Sequence, residues 1–246
     1  MTSAGWTTSR PDEARGGAAP ILHRVPAKGD APGLRERVRL RALLGRPTLD
    51  AARRLIGCVL VRRRRGRALA ARIVETEAYL GSSDPAAHVF RGRTPRTEPL
   101  FGPPGTVYVY FVYGMHHCLN LAADGPGTAG CVLIRAAEPL PGSGLPTDAC
   151  RGPGRLCRAL GVDTRLSGRH LFEEDPPLTL REGRAPSVVA VSARVGIRRA
   201  AERPLRFFDP ASPAVSAGPR AGVSSQSTRR PGVRPRAHPA TKRGIR

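Results

Sequence analysis

The run Thr106–Tyr113 reads Thr-Val-Tyr-Val-Tyr-Phe-Val-Tyr, so every residue is β-branched or aromatic. Such side chains pack well on a pleated surface and lose rotamer freedom in a helix, so the segment is a strand. Gly114 stands where a turn belongs, and His116–Ala122 returns antiparallel to complete a hairpin. A hairpin is marginal by itself and needs further strands or a helix against it. The chain supplies them. Cys58–Arg62 and Ala68–Tyr79 read as two strands joined by the basic turn Arg63-Arg64-Arg65-Gly66-Arg67. Gly130–Ala136, Pro186–Gly196 and Leu205–Asp209 add more strand. Helices are expected from Thr48, the N-cap, to Ile56 before Gly57, and over Pro153–Leu160 before Gly161. The fold class is mixed α/β: a single domain with a curved, largely antiparallel sheet, surrounding helices and a protruding β-hairpin. No internal repeat is present.

The folded domain is expected over residues 36–216. Residues 1–35 are rich in Gly, Ala, Pro, Ser and Thr without periodicity and read as a disordered tail; residues 217–246 read as a disordered basic one. Lys and Arg number 41 against 19 Asp and Glu, a formal charge of +22. The carboxy-terminal tail holds eight basic residues and no acid, which leaves most of the excess on the folded part. That balance points to a polyanionic partner, nucleic acid before membrane. No run approaches the ~18–20 apolar residues of a membrane span, and the amino terminus lacks a signal-peptide core. The expected location is therefore intracellular and cytoplasmic, at the nucleoid. The five cysteines, Cys58, Cys118, Cys131, Cys150 and Cys157, are odd in number and without CxxC spacing. They read as buried thiols, neither a disulfide framework nor a zinc site.

Aromatic residues are only 4% of the chain, yet all four tyrosines fall between Tyr79 and Tyr113. They are either stacking surfaces for bases or a tyrosine-rich hairpin packed on the core. In the strand ending at Tyr79, alternation places Glu75, Glu77 and Tyr79 on one face and Val74, Thr76 and Ala78 on the other. The glutamates are either a general base with an arginine-bound partner, or two exposed carboxylates bridged to arginines. His88 precedes a loop bearing Arg91, Arg93 and Arg96, broken by Gly92 and Pro95 and suited to phosphate contacts. His116 and His117 are adjacent and face opposite ways, so no metal is expected. Neither GxGxxG nor a P-loop sequence occurs, so no nucleotide cofactor is expected either.

These residues lie in blocks that resemble the alkyladenine (3-methyladenine) DNA glycosylase family. The blocks are Arg72-Ile-Val-Glu-Thr-Glu-Ala-Tyr-Leu-Gly81, Ala86-Ala-His88, Arg91-Gly-Arg-Thr-Pro-Arg96, Tyr108-Val-Tyr-Phe-Val-Tyr-Gly-Met115, Cys118-Leu-Asn120, Val132-Leu-Ile-Arg-Ala136, Gly152-Pro-Gly-Arg-Leu-Cys157 and Arg194-Val-Gly196. They follow the family's order from about Leu44 to Ser216.

The resemblance implies a monofunctional enzyme of base excision repair. It flips alkylated or deaminated purines from double-stranded DNA and hydrolyses the N-glycosidic bond, leaving an abasic site. The substrates implied are 3-methyladenine and 7-methylguanine, with hypoxanthine and etheno-adenine beyond them. Glu77 matches the general base; Arg135 and the Val195 carbonyl match groups that hold the attacking water. Tyr79, His88 and Tyr110 match the walls around the flipped base, Asn120 the residue that disfavours guanine, and Leu133 a neighbour of the pocket. Tyr113 matches the side chain that wedges into the duplex. Arg91, Arg93, Arg96 and Arg155 are expected on the DNA backbone, and the enzyme is expected to be a monomer without cofactor. Three departures stand out. The segment between Pro139 and Cys150 is shorter and less helical than the family's basic one. Ala214 replaces a common aromatic, which predicts weaker packing there. Arginines such as Arg155 replace lysines.

Overall fold

The computed structural model describes residues 25–27 and 30–218. Most of the two tails read from the sequence lies outside the described residues. Helix α1 (Leu34–Leu44) takes in the last two residues assigned to the amino-terminal tail and was not legible as a helix. Its sequence, LRERVRLRALL, buries only Glu36, Leu40 and Leu44, too narrow a stripe to show as a helical period. A tertiary ion pair helps hold it: Arg181 Nε donates to Glu36 Oε1 at 3.0 Å, and the Glu182 N–H donates to the same oxygen at 2.7 Å.

Helix α2 spans Thr48–Arg54, with Pro47 rather than Thr48 at the N-cap and no side-chain cap. Pro47 enters a helix easily because its missing N–H costs nothing there. Strands β1 (Val59–Arg64) and β2 (Arg67–Tyr79) form a hairpin whose turn residues Arg65 and Gly66 both have positive φ, 49° and 74°. β3 (Val107–Val112) and β4 (His116–Ala123) form the second hairpin, and β5 (Gly130–Pro139) joins β4 to β2. Helix α3 (Pro153–Leu160) stops at Gly161, whose φ of 61° is the left-handed C-cap that favours glycine.

Two expectations near the end need correction. Of the strand read over Pro186–Gly196 only β7 (Ala190–Ser192) forms, and the short edge strand β6 (Leu178–Arg181) was missed. β8 (Arg206–Phe208) pairs with β7 and with the far half of β2. The sheet order is β3-β4-β5-β2-β1-β6 with β8 beside β2, every pairing antiparallel. The sheet curls, its length resting on β2, which pairs with β5 on one edge and with β1 and then β8 on the other. No described helix is long and apolar enough to cross a membrane.

One bulge decides how β2 presents its side chains. The β2–β5 register shifts between Ile73 and Glu75 and again between Glu75 and Thr76. The surplus residue flips the alternation. Ile73 therefore sides with Thr76 and Ala78 toward α2, where Thr76 Oγ1 donates to the Ala52 carbonyl at 2.8 Å. Val74 joins the glutamate face instead, packed on Ala136 and Ala214, which corrects its placement with Thr76 and Ala78. Ala214 is 2% exposed in that cluster, so the missing aromatic leaves no open site. The main core lies between the sheet and α1, α2 and α3. All five cysteines are buried and unpaired.

Candidate active site

Glu75 and Glu77 both have no exposed surface, which removes the reading of two solvent-facing glutamates. Unpaired burial of a carboxylate would cost several kcal/mol, and the structure divides the partners unequally. Glu75 Oε1 accepts from Arg135 Nε at 2.9 Å, Arg206 Nε at 2.7 Å and Ser216 Oγ at 2.9 Å; its Oε2 accepts from the Ser216 N–H at 2.7 Å. It ties β2, β5, β8 and the chain after β8 together. Glu77 is held more lightly. Its Oε1 accepts from the Val195 N–H at 2.7 Å and stands 3.3 Å from Arg135 Nη1, and its Oε2 accepts from the Tyr79 hydroxyl at 2.9 Å.

Arg135 faces both glutamates because it is the surplus residue of β5 opposite the Glu75–Thr76 step. Burial raises the pKa of Glu77; Arg135, the Val195 N–H and the Tyr79 hydroxyl oppose that shift without cancelling it. Burial works against the charge on Arg135, and the two carboxylates more than restore it, so its pKa rises and it stays cationic. The arrangement is a carboxylate tuned upward beside a fixed cation, the pairing a general base near neutral pH requires.

Val195 reaches Glu77 because residues 193–197 do not continue as a strand. Arg194, the residue before it, is fully buried against Asp84, with Nη2 2.9 Å from Oδ1, and its Nη1 donates to the Ala78 carbonyl at 3.0 Å. Its guanidinium also lies over the Tyr79 ring, 4.6 Å from the centroid. One cation thus fixes the Val195 peptide and the tyrosine beside the carboxylate. The Arg194-Val-Gly196 block carries the resemblance without a role for Arg194, and nothing in the sequence marks Asp84 as its partner. A buried ion pair between residues 110 positions apart has no local sequence signal.

A cavity opens beyond Tyr79, whose hydroxyl carries the contact to Glu77; Glu77, Arg135 and Val195 are not themselves among its lining residues. Tyr79, His88, Tyr108, Tyr110 and Asn120 line it together with Ala86 and Cys131. His88 Nδ1 is 2.9 Å from the Tyr108 hydroxyl, and its ring meets Tyr110 edge-on at 4.4 Å. Burial, with Arg96 nearby, lowers the His88 pKa, so the imidazole is neutral at pH 7. Burial raises the pKa of Tyr79 and Tyr110, which keeps their hydroxyls protonated. Asn120 Nδ2 donates to the Tyr108 carbonyl at 3.2 Å, fixing the amide at the wall. Leu133 is buried between Asn120 and Glu77 in the sheet register and is not among the lining residues. Tyr108 also lines the cavity, and the clustering of the tyrosines in the sequence is the signal that points to it.

The fourth tyrosine stands apart. Tyr113 is 80% exposed at the tip of the β3–β4 hairpin, with φ 53° followed by 66° at Gly114. The turn is closed by the Met115 N–H on the Val112 carbonyl at 3.3 Å. Phe111 and Met115 are exposed beside it. The four arginines read as backbone contacts lie in different settings. Arg93 is held by Glu98, with Nε to Oε2 at 2.6 Å, and Arg155 by Asp148 at 2.6 Å. Arg96 lies over the Tyr110 ring, 5.5 Å from its centroid, and Arg91 is exposed.

Comparison with known proteins identifies the family. The family described as methylpurine-DNA glycosylase matches residues 42–213. A Chlorobium luteolum protein named 3-methyladenine DNA glycosylase is 45% identical over 182 residues, 70% of this chain and 93% of its own. A Myxococcus xanthus protein of the same name is 46% identical over 184 residues, 72% of this chain and 92% of its own. The DNA-3-methyladenine glycosylase of Mus musculus is 43% identical over 201 residues, 69% of this chain and 58% of its own. With a family match that spans α2 to the strand after Arg194, the chain belongs to the methylpurine-DNA glycosylase family of DNA-repair hydrolases that act on N-glycosyl bonds.

Proposed function

We propose that the enzyme rotates a methylated purine nucleotide out of duplex DNA into the tyrosine-lined cavity, where Glu77 activates the water that cleaves the N-glycosidic bond. The observation that carries this reading is the Glu77 carboxylate: fully buried, raised in pKa, and held by Arg135, the Val195 N–H and the hydroxyl of Tyr79, whose ring lines the cavity. A carboxylate offers about four lone-pair sites, so three partners leave room for a water. Arg135 keeps the base ionised and helps orient that water, as the Val195 peptide does by fixing the carboxylate.

A base in the stack is out of reach, and rotating it out costs a few kcal/mol. Tyr113, presented on a tight turn, is placed to fill the gap and offset that cost. Purines methylated on a ring nitrogen are cationic, so they stack well on the electron-rich faces of Tyr79 and Tyr110 and leave without protonation. That favours 3-methyladenine and 7-methylguanine. Hypoxanthine and etheno-adenine are neutral and need a proton on the leaving base, which the neutral His88 is poorly suited to give. Asn120 stands where the 2-amino group of normal guanine would meet the wall.

The reaction ends at an intact abasic site. A lyase step usually needs an amine to form a Schiff base with the sugar, and the only lysines are Lys28 and Lys242, far in sequence from the site residues. The test is a single-turnover excision panel on duplexes carrying 3-methyladenine, 7-methylguanine, hypoxanthine or etheno-adenine. Release of the two cationic bases faster than the neutral ones is expected. Faster release of hypoxanthine than 7-methylguanine would show that leaving-group protonation is supplied and that the proposed chemistry is wrong.

A further inference from the structure

The arginine turn between β1 and β2 plays no part in the site described above. Arg64, Arg65 and Arg67 are exposed, and none holds a carboxylate among the described residues, whereas Arg93, Arg155 and Arg165 each hold one. Arg65 has a φ of 49°, a backbone conformation that disfavours side chains and that asparagine or glycine would adopt more easily. Arginines crowd here: burial together with Arg64 and Arg165 lowers the pKa of Arg62 at the base of the turn.

The turn is also connected to the Tyr113 hairpin. Helix α3 bridges them. Its first turn packs on the hairpin, where a Cβ on Gly154 would stand 3.0 Å from the His116 ring. Its C-cap packs on the arginine turn, where a Cβ on Gly161 would stand 2.6 Å from Arg64 Nη1. Gly154 and Gly161 are seven residues apart, so the helix separates the two contacts by about 10 Å. Arg155 and Arg158 lie exposed along it.

We propose that the β1–β2 turn is a second DNA-backbone contact, with Arg64, Arg65 and Arg67 on phosphates of the duplex flanking the lesion on the α3 side. At a rise of ~3.4 Å per base pair, about 10 Å sets this contact about three base pairs beyond the point where α3 meets the hairpin. Double-stranded DNA is the occupant that the charge and the spacing fit, because the same duplex that receives Tyr113 runs on past α3. The inference rests on the reading of Tyr113 as the wedge.

The experiment measures equilibrium binding to a lesion duplex of about 25 base pairs as a function of salt. Each phosphate contact contributes about 0.9 to the slope of log K against log salt. The triple variant Arg64→Ala/Arg65→Ala/Arg67→Ala is expected to reduce the slope by about 2.7. Because Arg64 packs on Gly161, the double variant Arg65→Ala/Arg67→Ala guards against a disturbed α3, and its expected reduction is about 1.8. Trimming the duplex to about two base pairs on one side of the lesion should abolish the difference from the parent; trimming the other side should preserve it. An unchanged slope in both variants, or a reduction indifferent to which side is trimmed, overturns the proposal. Tyr113→Ala, with the arginine turn intact, tests the wedge separately through its effect on paired against unpaired lesions.

Discussion

Glu77→Gln separates the chemistry from the fold. The amide keeps the shape: its oxygen can still accept from the Val195 N–H, and its NH2 can donate to the Tyr79 oxygen. Arg135 keeps its 2.9 Å partner in Glu75, so no buried cation is orphaned. Only the base is lost. General-base catalysis contributes about 10²–10⁴ in rate, or about 2.7–5.5 kcal/mol of barrier. The expected variant binds lesion DNA like the parent and loses at least about 100-fold in single-turnover excision. Glu75→Gln acts the other way. It removes the charge that Arg135, Arg206 and the Ser216 N–H and hydroxyl share. Breaking a buried pair costs about 3–5 kcal/mol, which at about 2–4 °C per kcal/mol lowers Tm by about 6–20 °C. Stability against pH gives a second readout. Because the folded pKa of Glu77 is raised, its ionisation opposes folding: parent and Glu77→Gln should be equally stable below the unfolded carboxylate pKa of about 4.3. The parent should then lose ground as pH rises through the folded pKa. The same raised pKa places the acid limb of parental excision above about pH 4.3, and Glu77→Gln should lack that limb. Near-parental excision by Glu77→Gln, with a folded but inactive Glu75→Gln, would refute the assignment; activity in both would refute the general-base mechanism.

Tyr113→Ala should slow excision of paired lesions more than of unpaired ones, and an equal effect on both removes the wedge. Arg194→Met leaves the buried Asp84 with no cation nearer than Arg203 at 3.9 Å and two backbone N–H donors, so a loss of up to about 3–5 kcal/mol is expected by chemical denaturation. Arg194→Met/Asp84→Leu should recover much of that stability but not excision, because the Val195 peptide and the Tyr79 ring lose their anchor. Recovery of both would mean that Arg194 serves stability alone. Borohydride reduction during turnover should trap no covalent adduct in good yield; efficient trapping would contradict an intact abasic product.

Features that rest on neighbouring residues could be read without a structure. Thr106–Tyr113 followed by Gly114 is a hairpin because β-branched and aromatic side chains favour the pleat and glycine accepts the turn. Gly161 ends α3 for a similar local reason. The order of the family blocks marked Tyr79, His88, Tyr110 and Asn120 before any of them could be seen around one cavity. Two glutamates two residues apart, however, are equivalent in a period-2 pattern, and the sequence alone offers no physical reason to prefer one. The bulge, the position of Arg135 opposite it, and the loop that lays the Val195 N–H on Glu77 arise from pairings across 60 and 118 residues. These make Glu75 a structural anchor and leave Glu77 with a raised pKa, bonded to the Tyr79 of the cavity wall. The local pattern determined which segments are strands and where the chain turns; the tertiary structure decided which carboxylate is tied down and which meets the cavity wall through Tyr79. Burial and partner number set a carboxylate's chemistry, and both belong to the packed sheet rather than to the strand that carries it.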